Sequence, residues 1–590
     1  MLGKTRWTAS IDTFNPAGAS RSRAGEAHAD RPTERPCSLS TRPLLVGIAG
    51  LFWLLSGGTS LAQQPGELPP LPIGEEPVGK ADGATDGSTD EPADEPADEP
   101  ADDPEQPSPD ENAQGSSDSD SPTPRRLPCA EPFTGEVPAQ PAGRIAEALA
   151  HKELAQTRIA VLAVAYPEGI VLFRQNADEP LNPASVTKLF TAAAALAHLG
   201  PDYTVETRVM AGDGECAPLY LVGGGDPGLT LDDLRALARQ VRKSGITCAS
   251  SLSFDVALFD RQTLAPHYEE KDSDAHWRPH VGAVGIEDGA VTLVLRPGDH
   301  VGAAVRVETI PACTGLLVDN RLVTVETPSK DKELLASVDK GPDNVVIRLE
   351  GEVKLGIKNP VIVRRALPEP DVFAARCFRD TLIAAGVKVK GDLPVASKCP
   401  TAVRKVASLL SDSLSADIRR MQVWSKNFVA EQLVKLAGSG RCRPLTFQCG
   451  LKVLRRTLER FHLPASCIRY ENGSGLFDAN RFSASHVVRL LLEAANRPPV
   501  AGPFVHALAQ GRKSGTLRDR MGRVNAVVRG KTGTLDGISA LAGYIERGPG
   551  RSIVFAILMN GPNATSYRMQ RVQDRIVELL AWWAFPGKKK

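Results

Sequence analysis

A serine and a lysine near the start of an Ala- and Leu-rich segment have the spacing of a nucleophile and its base. Ser185 and Lys188 are three positions apart, and residues at this spacing share one face of a helix. A helix N-terminus favours the neutral amine that a base must be. The pair therefore predicts covalent catalysis by a serine hydroxyl. The spacing alone is not specific, because Ser329 and Lys332 repeat it in a charged stretch with no apolar helix around it.

A second motif, Ser425-Lys426-Asn427, is the only Ser-x-Asn in the chain. The Ser425 hydroxyl could pass a proton to a leaving group, and the Asn427 amide could hold both Lys188 and a substrate carbonyl. As a lone tripeptide it is more typical of a turn or the start of a helix.

The third motif is Lys531-Thr532-Gly533, also unique, at the end of a strand expected at 526–529. A phosphate loop would need Gly where Asn525 stands and a helix afterwards, whereas the following sequence is typical of a strand. A strand carrying Lys-Thr-Gly instead offers backbone pairing to an extended peptide, with Lys531, Thr532 and Thr534 close to a carboxylate.

Taken in this order, the three motifs resemble the shared set Ser-x-x-Lys, Ser-x-Asn and Lys-Thr-Gly of the penicillin-recognising serine acyltransferases. The gap is 240 residues between the first two motifs and 106 between the last two. A long insertion at that point resembles the D-alanyl-D-alanine carboxypeptidase/endopeptidase family of class C penicillin-binding proteins, peptidase family S13. Five short segments share the resemblance, which covers roughly residues 140–585: 183–185, 224–227, 472–476, 514–517 and 533–537.

The resemblance implies a hydrolase of peptidoglycan stem peptides that end in D-Ala-D-Ala or carry a D-amino-acid crosslink. Ser185 would form the acyl-enzyme, Lys188 would accept its proton, and Ser425 would pass it to the leaving amine. The backbone amides of Ser185 and Thr534 would form the oxyanion hole. Lys531 and Thr532 would bind the substrate carboxylate, and a β-lactam would acylate the same serine. No metal or other cofactor is implied, and no nucleic-acid partner is expected.

The middle residue of the second motif departs from the family, which more often has an acidic or amide residue where Lys426 stands. This departure concerns the pH optimum or substrate preference, since the catalytic positions are intact.

Two other functions use the same fold. A β-lactamase would need a dedicated deacylation base and does not usually carry so large an insertion. A non-enzymatic wall-binding protein would be expected to have damaged motifs. A secreted β-rich protein with chance motifs would require order, spacing and context all to coincide.

The elements around the motifs predict an α/β fold. A hairpin is expected at 159–166 and 170–173, a buried helix at 185–199, and strands at 526–529, 538–546 and 553–559. We expect a transpeptidase domain of the penicillin-binding-protein/β-lactamase type, in which an antiparallel sheet is flanked by helices. It would comprise 129–212 and 401–590. A β-rich insertion of two subdomains would occupy 213–400, interrupted by one helix at about 231–242 with Thr230 as its cap.

The last helix carries Val572, Ile576, Leu579, Leu580 and Trp583 on one side. This pattern favours packing against the sheet over binding to a membrane surface. Peripheral membrane association stays an alternative partner surface, because the chain ends in three lysines.

The balanced charge, with 70 basic and 70 acidic residues, is an average over unlike parts. Residues 1–62 contain an apolar run at 44–55 before Ser60-Leu61-Ala62, which predicts an export signal; a retained anchor is the alternative. Residues 63–128 have 18 acidic and three basic residues, and this Pro-rich composition predicts an extended, disordered linker. The remaining chain carries 60 basic and 48 acidic residues. We therefore expect a basic enzyme in the periplasm or cell envelope.

Export permits disulfides, and Cys442 and Cys449 are the nearest pair among ten cysteines. Removal of the leader leaves an odd number, so at least one thiol is expected to be free or intermolecular. The cysteine spacings are not those of a zinc site. His276 and His280 are four positions apart, but Pro279 between them makes a shared helical face unfavourable, so a metal site is not expected there.

Overall fold

The computed structural model describes residues 139–341, 344–391, 394–546 and 551–584. The predicted leader and acidic linker lie outside these residues. In the described part of the chain, the helices all fall short of the length and apolar character that crossing a membrane requires. The ten α-helices of that part are α1 (Ala139–Leu149), α2 (Thr187–Leu199), α3 (Leu231–Lys243), α4 (Pro370–Ala384), α5 (Leu414–Trp424), α6 (Asn427–Leu436), α7 (Phe447–Glu459), α8 (Ala484–Ala495), α9 (Ala501–His506) and α10 (Ser566–Ala584).

The strands fall into a group from both ends of the described chain and a group from its middle. They are β1 (Arg158–Tyr166), β2 (Val171–Gln175), β3 (Glu206–Ala211), β4 (Leu219–Val222), β5 (Cys248–Ala249), β6 (Leu252–Asp255), β7 (Ala290–Arg296), β8 (Arg306–Ile310), β9 (Leu316–Val325), β10 (Leu335–Lys340), β11 (Val345–Lys354), β12 (Val361–Ala366), β13 (Lys388–Val389), β14 (Val395–Ala396), β15 (Arg404–Leu410), β16 (Ala509–Gln510), β17 (Val527–Leu535), β18 (Ile538–Glu546) and β19 (Ser552–Asn560).

A six-stranded antiparallel sheet joins the two ends of the described chain in the order β16-β17-β18-β19-β1-β2. Alternate residues of its strands face opposite layers. Ala540, Ala542 and Tyr544 of β18 are buried in one cluster with residues of α2 and α8, whereas Leu541 and Ile545 are buried in another with residues of α1 and α10. The antiparallel sheet with helices on both faces is the predicted architecture, and the predicted hairpin is present as β1 and β2. The strands predicted at 538–546 and 553–559 are present as β18 and β19, which pair with each other.

The last helix packs its apolar side against this sheet, as predicted. Ile576, Leu579 and Leu580 are buried in the same cluster as Leu541 of β18 and Ile557 of β19. The burial removes most of the apolar stripe that would be needed for binding to a membrane surface.

The middle of the chain forms a β-rich region of four small sheets. Its larger sheet has the order β14-β6-β4-β3-β15, and two three-stranded sheets have the orders β12-β7-β8 and β10-β11-β9. Buried apolar side chains from these sheets and from α3 and α4 form one cluster. In the larger sheet β3 and β15 pair antiparallel, with Ala211 opposite Arg404, so the chain enters and leaves this region on adjacent strands. The proposed boundaries at 212 and 401, and the division into two subdomains, stay predictions.

The prediction of a single helix in this region is wrong, because α4 is a second one. The predicted helix is present as α3, and Thr230 caps it by accepting from the Asp233 backbone N–H. Helix α4 begins at Pro370. Proline suits the first turn of a helix because a backbone N–H at that position has no partner within the helix, so its absence costs nothing. Its buried face includes Phe373, Cys377 and Phe378. The many short strands around it concealed this helical period.

Three disulfides cross-link the described residues: Cys216–Cys248, Cys313–Cys377 and Cys442–Cys449. Cys442 and Cys449, the nearest pair in the sequence, form one of these bridges. Cys399 is a free cysteine.

Candidate active site

Ser185 lies in a short 3-10 turn, Ala184–Val186, that leads directly into α2. The Lys188 side chain, fully buried in the first turn of α2, points back to it. Lys188 Nζ is 2.8 Å from Ser185 Oγ, 2.6 Å from Asn427 Oδ1 and 2.7 Å from the Ser474 carbonyl oxygen. The first motif thus has the shared face predicted from its spacing.

A neutral amine at Lys188 can make all three of these contacts. A neutral amine has two hydrogens and one lone pair, whereas an ammonium ion has three hydrogens and no acceptor. The amide oxygen of Asn427 and the carbonyl oxygen of Ser474 accept only, so they take both hydrogens. The lone pair is then left to the Ser185 hydroxyl, which can donate to it. Burial holds the pKa of Lys188 well below its usual range, and the nearby Lys531 lowers this pKa further.

Ser425 lies in the turn between α5 and α6, in the left-handed conformation with φ of 56° and ψ of 39°. The turn directs its hydroxyl toward β17, where Lys531 Nζ donates to Ser425 Oγ over 2.9 Å. Helix α6 begins at Asn427, which places the Asn427 amide against Lys188. The second motif therefore contacts both of the others.

Two residues from the β-rich region hold this turn from outside. Lys426 pairs with Asp288, which also lies 3.6 Å from Arg364. Asn427 Nδ2 donates to the backbone carbonyl of Trp277. The positive charge of the unusual Lys426 is thus neutralised locally. Although burial raises the pKa of Asp288, attraction to Lys426 and Arg364 outweighs it and leaves this pKa below its usual value.

Strand β17 carries the third motif past the nucleophile. Lys531 is fully buried, and burial lowers its pKa to about 7. Thr532 Oγ1 bonds to Thr516 Oγ1 at 2.8 Å, and Thr534 is exposed two residues further along. A Cβ on Gly533 would lie 2.6 Å from the Pro183 carbonyl oxygen and 3.0 Å from the Ser185 nitrogen. Glycine is thus required for β17 to approach the nucleophile this closely.

The outer edge of β17 is open along the motif. Strand β16 pairs only with Arg529 and Gly530. From Lys531 to the end of β17, the described residues supply a pairing strand on one side, where β18 lies. The free edge can accept an extended peptide by strand addition, and this peptide would run beside Ser185.

Three residues around Lys188 were not predicted as site residues: Ser474, Glu431 and Tyr268. Ser474 belongs to the segment 472–476, which entered the sequence analysis only through the family resemblance. Gly475 has a left-handed φ of 77°, and a Cβ there would lie 1.9 Å from the Ala184 carbonyl oxygen. Glu431 had a signal in the sequence, since it is a carboxylate within the apolar start of α6. Tyr268 lies in a loop between strands, and the sequence gives no signal for it.

The other candidate motifs lie apart from this cluster in their contacts. The second Ser-x-x-Lys match is in a loop, where Lys332 pairs with Glu352 and the Ser329 backbone N–H donates to the same carboxylate. His280 Nδ1 bonds to Thr263 Oγ1 at 2.8 Å, and burial lowers the pKa of His276 to about 3. Within the described ranges, no group of three or more His, Cys, Asp or Glu side chains is placed to hold a metal ion.

Comparison with known proteins gives a family match over most of the chain. The model of the D-Ala-D-Ala carboxypeptidase 3 (S13) family matches residues 142–582. The chain is 32% identical over 451 residues to the D-alanyl-D-alanine carboxypeptidase of Actinomadura sp. (strain R39), covering 72% of this chain and 81% of that protein. It is 24% identical over 399 residues to D-alanyl-D-alanine carboxypeptidase DacB of Haemophilus influenzae, covering 64% of this chain and 80% of the relative.

Two solved structures share the fold. Penicillin binding protein 4 (dacB) from Haemophilus influenzae superposes with a TM-score of 0.64 at 20% identity, covering 74% of this chain and 99% of that one. The same protein complexed with a novel β-lactam gives a TM-score of 0.60 with the same identity and coverage. The predicted fold class is confirmed.

Proposed function

Since the chain belongs to the D-Ala-D-Ala carboxypeptidase 3 (S13) family, we propose that it is a serine-type D-Ala-D-Ala carboxypeptidase that works through a Ser185 acyl-enzyme. Its substrates are peptidoglycan stem peptides, and DD-endopeptidase cleavage of crosslinked stem peptides is a second activity of the same site. The single observation that carries the proposal is the arrangement of Lys188 Nζ, with two obligate acceptors and the Ser185 hydroxyl around it.

The acylation step follows from that arrangement. Ser185 Oγ attacks the carbonyl carbon of the scissile bond while its proton moves to the lone pair of Lys188. The resulting ammonium keeps its two hydrogen bonds to Asn427 and the Ser474 carbonyl. The oxyanion lies between the backbone amides of Ser185 and Thr534, near the close contact at Gly533.

Departure of D-alanine requires a proton on its amine. Lys188 gives up the proton that it took from Ser185, and the Ser425 hydroxyl of the second motif, which accepts from Lys531 Nζ of the third, passes a proton to this amine. Water then hydrolyses the acyl-enzyme, with Lys188 as the base. When the leaving group is the side-chain amine of a second stem peptide, the same steps cleave a crosslink.

The terminal carboxylate of the substrate binds at the open edge of β17. Lys531 supplies the positive charge, and the Thr532 hydroxyl supplies a hydrogen bond. A β-lactam carries a carboxylate beside its reactive carbonyl, so we infer that it acylates Ser185 and acts as an inhibitor.

We also propose export to the periplasm or cell envelope. The predicted leader and three disulfides support it, because disulfides persist in oxidising compartments. Peripheral association with a membrane stays a prediction, and sedimentation with anionic lipid vesicles would test it.

Labelling with a fluorescent penicillin tests the proposed nucleophile. Wild type should be labelled and Ser185→Ala should not. Ser329→Ala is the matched control, because it alters the second Ser-x-x-Lys and should label like wild type. Equal labelling of Ser185→Ala would refute the mechanism. Release of D-Ala from a pentapeptide and cleavage of a crosslinked muropeptide, assayed separately, test the two activities.

A further inference from the structure

A fully buried carboxylate lies behind the proposed base without contacting the substrate side of the site. Glu431 is one helical turn after Asn427 in α6, so the two side chains share a face. Asn427 reaches Lys188 directly. Glu431 reaches the segment that supplies another of the three Lys188 contacts, the carbonyl of Ser474.

Donors surround the Glu431 carboxyl group. The backbone N–H groups of Gly473 and Ser474 donate to its two oxygens at 3.1 and 2.8 Å. The Tyr268 hydroxyl donates to Oε1 over 3.3 Å and lies 2.8 Å from Ser474 Oγ. An ionised carboxylate only accepts hydrogen bonds, so donors on both oxygens suit the anion. Burial leaves the pKa of Glu431 above its usual value, and the Ser474 and Gly473 hydrogen bonds and the attraction of Lys188 offset only part of this rise.

The charges of the site then change during acylation in a defined way. Before acylation the Lys188 amine is neutral, so it does not balance the negative charge of Glu431. When the Ser185 O–H bond breaks and the proton binds Lys188, the new cation faces the carboxylate. Burial and the nearby Lys531 hold the pKa of Lys188 well below its usual range, and attraction to Glu431 opposes them. A base with a stabilised conjugate acid accepts a proton more readily.

We propose that Glu431 is a positioning residue whose negative charge stabilises the cation that forms when Lys188 accepts the Ser185 proton. It does so from beneath the site, and it also fixes the turn that presents the Ser474 carbonyl. The inference rests on the proposed function, in which Lys188 is the base.

The experiment measures the rate of acylation by a fluorescent penicillin from pH 5 to pH 10, for wild type, Glu431→Gln and Glu431→Asp. The acidic limb of the profile reports protonation of Lys188. The charged or titratable groups facing this pair are Lys531, Tyr268 and Tyr470, and all three are unchanged in the variants. Loss of a nearby opposite charge typically shifts a pKa by about one to three units.

In Glu431→Gln the acidic limb should move to lower pH by at least about one unit, and the plateau rate should fall about tenfold or more. Glu431→Asp keeps the charge one methylene farther away, so its limb should lie between the other two. A limb that stays at the wild-type pH in either folded variant, even with a lower rate, indicates a purely structural role and overturns the inference. If Glu431→Gln does not fold, the Asp variant decides alone. Failure of the proposed function is separate, because it would appear as unlabelled wild type or labelled Ser185→Ala.

Discussion

The buried Lys531 should give the enzyme an alkaline limit near neutral pH. Burial lowers the pKa of this amine to about 7, so its charge is present below that pH and is lost as the pH rises through it. A carboxylate substrate needs the charged form. The ratio kcat/KM reports groups of the free enzyme, so it should fall on the alkaline side of about pH 7.

The size of this effect follows from the titration. Two pH units above the pKa, about one enzyme molecule in a hundred carries the charge, so kcat/KM at pH 9 should be about a hundredfold below its charged plateau. The limb in kcat should lie at higher pH, because a bound carboxylate favours the ammonium form. The structural cause is the complete burial of Lys531, whose amine donates hydrogen bonds to the Ser425 hydroxyl and to the neighbouring Thr532 carbonyl.

Lys531→Arg is the decisive variant, because a guanidinium stays charged throughout this pH range. Its rate should be lower, since the larger group must fit a fully buried place, but its alkaline limb should disappear. The assay is D-Ala release from a pentapeptide between pH 6 and pH 10. A C-terminally amidated peptide is the control, since it has no carboxylate and should lack the limb. Persistence of the limb in Lys531→Arg, or an equal limb with the amide, would refute the reasoning.

Three further changes test the packing and charges around the site. Lys531→Met should raise the free energy of unfolding at pH 6 by about 1–4 kcal/mol. Above pH 7 the unfolded wild-type chain binds more protons than the folded one, so wild-type stability should rise with pH and the variant should lack this rise. Calorimetry at pH 6 and pH 9 would show neither effect if burial does not lower the pKa of this amine. Gly475→Ala should destabilise by about 2 kcal/mol or more and slow penicillin acylation at least tenfold, whereas Gly502→Ala, with open space around its Cβ, should do neither; equal melting temperatures would contradict the crowding. Asp288→Asn should slow acylation about tenfold, because the charge of Lys426 then has no anionic partner at this position. Adding Lys426→Gln should recover most of the lost rate. Additive losses in the double variant would show that the two residues are not coupled.

The part of the site that is local in sequence was predictable. Ser185 and Lys188 meet because a helix places residues three apart on one face, and their contact distance is 2.8 Å. The residues that follow the third motif have the pattern of a strand, and this pattern predicted that Lys531 and Gly533 lie on a strand edge. Spacing alone does not predict that Ser425 lies beside Lys531. That contact was expected only because the order of the three motifs resembles the family set.

The part that depends on tertiary approach was not predictable. Tyr268 and Trp277 lie in loops of the β-rich region, and no local pattern shows that they reach α6. Glu431 was visible as a charge in an apolar helix, but its partners come from a turn more than 40 residues later. Helix α4 was missed because the many short strands on either side of it made a β-rich interpretation of the whole region the more natural one. The Lys426 departure is compensated by Asp288, which is 138 positions away in the sequence and beside it in the fold.

The pairing of β3 with β15 has a consequence for how this architecture could be altered. Because the chain leaves and returns on neighbouring antiparallel strands, a two-residue turn could in principle join Ala211 to Arg404 and close a simple hairpin. In backbone terms the intervening region is a removable cassette of the kind that recombination exchanges between proteins. Its chemistry is not removable, since Tyr268, Trp277 and Asp288 leave with it. A lineage that lost the cassette would need other residues to hold the turn carrying Ser425 and to position the Ser474 carbonyl that contacts Lys188.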